Sequence, residues 1–348
     1  MQKINLKKYF SNNELYLIAG VFAFVLSVLV FTFFSPNYFD SDEPVELVIP
    51  RGATLNEVVD SLYSKGVIKG KFNIKAAAFI YGADKKIKAG KYKIPNGLSY
   101  LDLIELFING SPVEQVKITI PEGIWLKDLA SLLKRELGVD SAKVMELSKS
   151  RSFLSSLGLG DEVESLQGYL LPETYYFYPD SDAETVLRKL KSEMDSIFDD
   201  PGIQKRMKEL GMNKHEILTL ASIIDAESND FSEFRTISGV YHNRLKRGML
   251  LQADPTVQFL IRHRRNKKVY YKDLEIESEY NTYKHPGLPP GPINNPGKDA
   301  IMAALYPEKH NFYYFVADGN GGHKFASTQR EHEQNVLEYR RWRRSQNN

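Results

Sequence analysis

Hydrophobic positions follow three different rhythms along this chain. From Leu15 to Phe34 they are continuous, LYLIAGVFAFVLSVLVFTFF, twenty residues without a charge. At about 1.5 Å per residue a helix of that length spans roughly 30 Å, one bilayer hydrocarbon core. From 45 to 137 the rhythm is short and repeats three times as strand, Pro/Gly turn, helix. Val45, Leu47 and Ile49 alternate as in a strand, Pro50 and Gly52 turn the chain, and Thr54 caps a helix carrying Leu55, Val58, Val59 and Leu62. KAGKYKIPNGLSYLDLIELFING gives a strand, a turn at Pro95-Asn96-Gly97 and a helix from Ser99, and VKITIPEGIWLKDLASLLKREL repeats this around Pro121-Glu122-Gly123. Residues 138–213 read as largely helical, broken by LQGYLLPETYYFYP. Asn213 with Glu216 is like a capping box, so a helix opens at Lys214 with Ile217, Leu220, Ala221 and Ile224 as its core stripe.

These elements assign an α+β fold with a single N-terminal transmembrane helix. The boundaries read as a tail 1–14, a membrane helix 15–34, a polar linker 35–44 (SPNYFDSDEP), a small α+β module 45–113 and a larger α+β domain 114–348. The module resembles the LysM type, a small domain that grips cell-wall glycans. The apolar run is longer than a signal-peptide core and no small-x-small cleavage site follows it, so it reads as an uncleaved anchor in the lipid bilayer. Lys3, Lys7 and Lys8 precede it, and Asp40, Asp42 and Glu43 follow it. The positive-inside rule then puts the N-terminus in the cytoplasm and the rest on the extracytoplasmic side of the cytoplasmic membrane.

Composition narrows the chemistry. A chain of 348 residues, 42% hydrophobic and 26% charged, suits about two globular domains. A net charge of +2 gives no whole-chain argument for nucleic acid. The lack of cysteine excludes thiolate catalysis and disulfides. Seven histidines (215, 242, 263, 285, 310, 323, 332) are scattered with no HExxH spacing, which disfavours a metallohydrolase; neither metal nor cofactor is expected. Leu171-Pro172-Glu173-Thr174 mimics a sortase signal, but Tyr175 replaces the glycine and no hydrophobic tail follows. Tyr169, Tyr175, Tyr176, Phe177 and Tyr178 suit sugar stacking and a core equally. The basic runs Arg262–Lys268 and Arg340–Arg344 read as solvated faces or contacts to anionic polymers.

The acids that end the 214–227 helix are the sharpest chemical signal. At about 100° per residue, Asp225 and Glu227 point roughly 200° apart, so they cannot form a facing pair. Glu227 follows Ile223 and Ile224 on the Leu220 edge of the stripe; Asp225 lies on the other edge, beyond Ala221. A carboxyl pressed against apolar neighbours is desolvated and stays protonated near neutral pH, as a general acid needs. Glu also reaches further than Asp. On spacing alone, two solvated acids at a helix end remain the commoner case. Downstream, VYHNRLKRGMLLQADPTVQF sets Asn243, Arg244, Gln252, Asp254 and Thr256 among apolar residues. YNTYKHPGLPPGPINNPG is too rich in Gly and Pro for a regular element; with Tyr280, Asn281, Tyr283 and Asn294 it suits a cleft wall.

Together ASIIDAES, NRLKRGMLLQADPTV, YNTYKHPGLPPGPI and YYFVADGNGGHKF resemble the signature blocks of the endolytic murein transglycosylase (YceG-like) family, in the family's order and over most of the chain. The resemblance implies a membrane-anchored lytic enzyme cutting the MurNAc-GlcNAc bond of nascent peptidoglycan glycan strands, beside peptidoglycan synthases. The family's first block usually ends in two glutamates around one residue, the second being catalytic, which falls on Glu227. The first is Asp225 here. Leu166-Gln167-Gly168 stands where the family often has Leu-Glu-Gly, while Glu173 is retained.

This chemistry fits one acid. A retaining or inverting glycosidase needs two carboxylates across the bond. A lytic transglycosylase uses the C6 hydroxyl of N-acetylmuramic acid as nucleophile and leaves a 1,6-anhydro end. Glu227 would protonate the leaving oxygen and then take the C6 hydroxyl proton. Asn243, Gln252, Asp254, Thr256, Tyr283 and Asn294 are the candidates for holding the sugar. A muramidase with Asp254 as second carboxylate, and a non-catalytic wall-binding scaffold, are the alternatives.

Overall fold

A capping box starts the apolar helix earlier than hydropathy alone suggests. In the computed structural model α1 (Asn12–Phe34) begins at Ser11, whose hydroxyl accepts from the Glu14 N–H while Glu14 reaches back to the Ser11 N–H. None of its residues is buried, and it has the length and composition to cross a membrane. The structure describes residues 11–40, 43–83, 86–110, 112–113, 115–179, 181–264 and 268–346. Lys3, Lys7, Lys8 and Asp42, which enter the orientation reading, lie outside the described residues, as do Arg265, Asn266 and Lys267 of the first basic run.

The chain forms two compact units, Met1–Gln115 and Val116–Asn348. After α1 the first continues with β1 (Val45–Ile49), α2 (Leu55–Ser64), α3 (Lys71–Tyr81), β2 (Gly90–Ile94) and α4 (Tyr100–Asn109). Thr54 and Ser99 cap α2 and α4 with reciprocal bonds to Glu57 and Asp102, satisfying N–H groups that a helix start leaves orphaned. β1 and β2 pair antiparallel, Leu47 opposite Tyr92, and their inward residues pack with Val59, Leu62, Ile74, Leu103 and Phe107 in one core. The segment after α1, read from sequence as a polar linker, is bonded to the turn before α4. The Asn37 N–H and side-chain amide both donate to the Leu98 carbonyl, at 2.9 and 3.0 Å, and the Asn96 amide is bonded to both backbone groups of Phe39.

The second unit carries β3 (Val116–Thr119), α5 (Leu126–Leu137), α6 (Ser141–Leu147), α7 (Arg151–Ser156), β4 (Thr174–Phe177), α8 (Ala183–Phe198), α9 (Pro201–Leu210), α10 (Lys214–Glu227), α11 (Phe234–Lys246), α12 (Asp254–Leu260), α13 (Lys298–Leu305), β5 (Tyr314–Ala317), β6 (His323–Ala326) and α14 (Gln329–Ser345). β3 pairs antiparallel with β4, and β5 with β6. The LPET stretch is built into the fold: Leu171 and Pro172 are buried and Thr174 opens β4. Tyr169, Tyr175 and Phe177 join the core, while Tyr176 is exposed.

α10 is the central element. Its expected one-sided stripe is a helix buried all round, because every residue from Ile217 to Ile224 is covered, Thr219 and Ser222 included. The two hydroxyls are tolerated because each donates back along the helix, Thr219 to the His215 carbonyl and Ser222 to that of Thr219, both at 2.7 Å. The helix start is tied down by His215. Its Nε2 lies 2.6 Å from the Pro290 carbonyl, which can only accept, so Nε2 carries the hydrogen and Nδ1 accepts from the Tyr169 hydroxyl at 2.7 Å.

The irregular segment 276–297 is held by buried asparagines. Asn281 donates to the carbonyls of Leu274 and Ile276. Asn295 donates to Ile124 and accepts from the Gly168 N–H at 2.8 Å. These side chains supply the backbone pairing that a segment rich in proline cannot make for itself.

Candidate active site

Because α10 is fixed along its length, the acids at its end have fixed directions. Glu227 is the last helical residue, and Ser228 leaves the helix in an extended conformation. The Glu227 carboxyl lies at the junction of two cavities in the second unit. One, of about 420 Å³, is lined by Arg244, Gln252, Asp254, Tyr283, Phe315 and His332 among others. The other, of about 340 Å³, is lined by Ser228, Asn229, Gly319, Gly321, Gly322, Tyr339 and Trp342. Both also touch Ala317 and His323, so the β5–β6 hairpin forms a wall common to the two.

The environment sets the protonation state of Glu227. Burial pushes its carboxyl up to about 7 and the Asp254 charge adds to this, against the Tyr241 hydroxyl bond and the Arg244 charge, which favour the ionised form. The Tyr241 hydroxyl donates to Oε1. Tyr241 is only 1% exposed and packs edge-on against Phe315, ring centroids 5.9 Å apart. Its hydroxyl has been raised well above the usual tyrosine range, first by burial and then by the neighbouring carboxyl, so it remains a donor.

Arg244 is buried and organises the floor. Nε donates to the Tyr313 carbonyl at 2.6 Å; Nη1 donates to the Leu251 carbonyl at 2.8 Å and to Gln252 Oε1 at 3.3 Å. Gln252 has φ of 49°, the only positive φ outside glycine among the described residues. Its N–H donates to the Thr282 carbonyl at 3.0 Å. Such a conformation is disfavoured for an ordinary side chain and persists where the surroundings over-determine it.

Asp225 belongs to another neighbourhood. Its Oδ1 accepts from the Gly297 N–H at 3.2 Å, and Oδ2 sits where a Cβ on Gly123 would come within 2.7 Å. Burial, and after it the charge of Glu122, push its carboxyl up to about 7. Gly123 has φ of +69°, so the 121–123 turn needs glycine both for conformation and for room beside Asp225.

The structure brings Gln252, Asp254 and Tyr283 to the cavity beside Glu227; the Tyr283 hydroxyl donates to Asp254 Oδ1 at 2.6 Å. Asn243, Thr256 and Asn294 are not brought there. Asn243 donates to the carbonyls of His310 and Phe312. Thr256, fully buried, is bonded to Ala253 and Thr282. Asn294 donates to the Ser222 carbonyl beside Gly123. These three hold the loops that frame the site. Sequence reasoning passes over Tyr241 and His323. A tyrosine in an apolar helix needs a partner for its hydroxyl, which is the signal available for Tyr241. His323 is placed only by the hairpin, where Nδ1 is 2.7 Å from Glu233.

The chain matches the YceG-like family over residues 47–338. It belongs to that family. This YceG-like chain is 32% identical over 329 residues to the endolytic murein transglycosylase of Bacillus subtilis (strain 168), covering 91% of its own length and 89% of the relative's. It is 30% identical over 365 residues to the endolytic murein transglycosylase of Streptococcus pneumoniae serotype 2, covering 91% of its own length but spanning 65% of the pneumococcal protein. A crystal structure of a yceG-like protein from Listeria monocytogenes matches with a TM-score of 0.58 at 31% identity, covering 84% of this chain and 99% of the other.

Proposed function

We propose that this chain is an endolytic murein transglycosylase, anchored in the cytoplasmic membrane by α1, with its second unit outside, that cuts the MurNAc-GlcNAc bond of nascent strands and so ends their elongation. Its class, a lyase-type transglycosylase, follows from the family and these relatives. The observation that carries the mechanism is a single carboxyl, raised to about 7, at the junction of two cavities.

With Tyr241 on Oε1, the other oxygen of protonated Glu227 gives its proton to the glycosidic oxygen as the bond to C1 breaks. The carboxylate left behind is stabilised by the tyrosine hydroxyl and by Arg244. It then takes the proton of the muramic C6 hydroxyl as that oxygen bonds to C1, so protons balance and no water is consumed. Gln252, Asp254 and Tyr283 hold the sugar beside it. The 45–94 strand–helix–helix–strand arrangement serves as a LysM-like glycan grip; a cavity of about 410 Å³ lies between β1 and α2. Peptidoglycan synthases are the expected partners.

The mass of the ends left on uncrosslinked glycan strands tests this reading. Anhydro ends from wild type, absent with Glu227→Gln, support it; reducing ends alone sink it. Asp254 shares a cavity with Glu227, which favours a muramidase as the second reading, and reducing ends would select that one.

A further inference from the structure

The cavity on the α14 side of Glu227 has a wall that the chemistry above leaves unused. Tyr339 and Trp342 stand one helical turn apart on α14 with rings nearly parallel, centroids 5.8 Å apart and planes at 20°. Both line the same cavity as Glu227, and Trp342 is 36% exposed. Gly319, Gly321 and Gly322 of the β5–β6 turn line the same cavity, with Gly319 directly against the indole.

The turn is a built structure. Asp318 Oδ1 accepts from the N–H groups of Asn320 at 2.7 Å and Gly322 at 3.1 Å, and the Asp318 N–H donates to the Gly322 carbonyl at 2.8 Å. Glu233 pins its far end through both the N–H and the ring of His323. A Cβ on Gly319 would run into the indole of Trp342, so glycine here lets the ring lie against the turn; its φ of +91° also suits glycine alone. A partly exposed aromatic ring, packed on a pinned turn and lining a cavity beside an acid, is a contact that the apolar face of a pyranose ring can use. Aromatic rings offer that contact at low conformational cost.

We infer that Trp342, with Tyr339 behind it, is a sugar-stacking subsite that grips the glycan strand on one side of the bond cleaved at Glu227 and makes the enzyme prefer long strands. The inference rests on the proposed transglycosylase reading. The strand then lies across the acid, with one arm against Gln252, Asp254 and Tyr283 and the other against Trp342. Trp342 also gives the second basic run a role for its central residue, while the arginines around it stay exposed.

The full chain in detergent provides the test, in two parts. In a Glu227→Gln background, long uncrosslinked strands should bind about tenfold more weakly when Trp342 is changed to Ala, and less weakly affected with Trp342→Phe, which keeps an aromatic face. The protein has two tryptophans, so the emission change on binding should be lost with Trp342→Phe while Trp125 still reports a folded protein. In the active background Trp342→Ala should raise KM for long strands with kcat little changed. A folded Trp342→Phe protein whose emission change on binding equals that of its parent would overturn the subsite, as would unchanged KM in Trp342→Ala. If wild type itself cleaves nothing, the transglycosylase reading fails, whereas the binding arm still decides the subsite.

Discussion

Asp225 and Glu227 stand two residues apart at the end of α10, both carboxyls lie near pKa 7, and they face different partners. Asp225 faces the Gly297 N–H and Glu122; Glu227 faces the Tyr241 hydroxyl, Asp254 and Arg244. Helix geometry separates them, and burial raises each on its own. A raised carboxyl therefore does not by itself mark the reacting acid; the cavities do.

Glu227→Gln keeps the shape and an acceptor for Tyr241 but removes the proton. Cleavage of glycan strands should fall by about 10²–10⁴-fold, the usual contribution of a positioned acid–base. Chromatographic release of soluble fragments checks it.

The pH dependence follows from the same group. Glu227 acts as acid only when protonated, so kcat/KM should be level below about 7 and fall about tenfold per unit above it. Stability runs the same way. The folded carboxyl binds its proton more tightly than the unfolded one, so its contribution is full below the ordinary value of 4.5, is lost as pH rises to about 7, and levels off above that. Glu227→Gln should therefore melt a few degrees above wild type at pH 8 and with it at pH 4. A pH-independent difference would contradict the buried-acid account.

Tyr241→Phe separates positioning from packing. Its hydroxyl bond lowers the Glu227 pKa, so its loss should move the alkaline limb to higher pH. kcat should also fall about tenfold or more, as the carboxylate intermediate loses a donor. A limb that stays in place, with kcat unchanged, would show that the hydroxyl only fills space.

Asp225→Asn should leave kcat within a few-fold, because the amide oxygen still accepts from Gly297. Gly123→Ala should instead destabilise the protein by about 1–3 kcal/mol, since the new Cβ meets Oδ2 and the turn needs positive φ. Thermal melts and strand cleavage measured on both variants check the pair.

Thr256→Val should cost about 1–3 kcal/mol, because the buried Thr282 hydroxyl keeps the Ala253 N–H it accepts from but loses the acceptor for its own proton, with KM for glycan unchanged. A raised KM with normal stability would restore Thr256 as a sugar contact.

Much of this was legible in local patterns. Thr54 with Glu57, Ser99 with Asp102 and Asn213 with Glu216 mark helix starts because the capping chemistry is complete within four residues. The divergence of Asp225 and Glu227 follows from helical rotation. What was not legible depends on distant partners. β3 pairs with β4 across the intervening helices α5 to α7, and Asn295 reaches Ile124. Whether Asn243, Gln252 or Thr256 faces a cavity is decided by how α11, α12 and the 276–297 segment pack, and no local spacing carries that. α10 looked one-sided because Thr219 and Ser222 are polar by type, yet they bond inside their own helix.

The stitching of Asn37 to Leu98 has a mechanical meaning. A free ten-residue tether would let its cargo wander over roughly 17 Å. Here Ser35 ends α1, and within two residues the chain is bonded to the turn before α4. The apolar helix is thus fastened to the rest of the first unit rather than joined to it by a free tether. Were α1 to sit in a bilayer, as proposed, the height of that unit above it would be set when the unit folds.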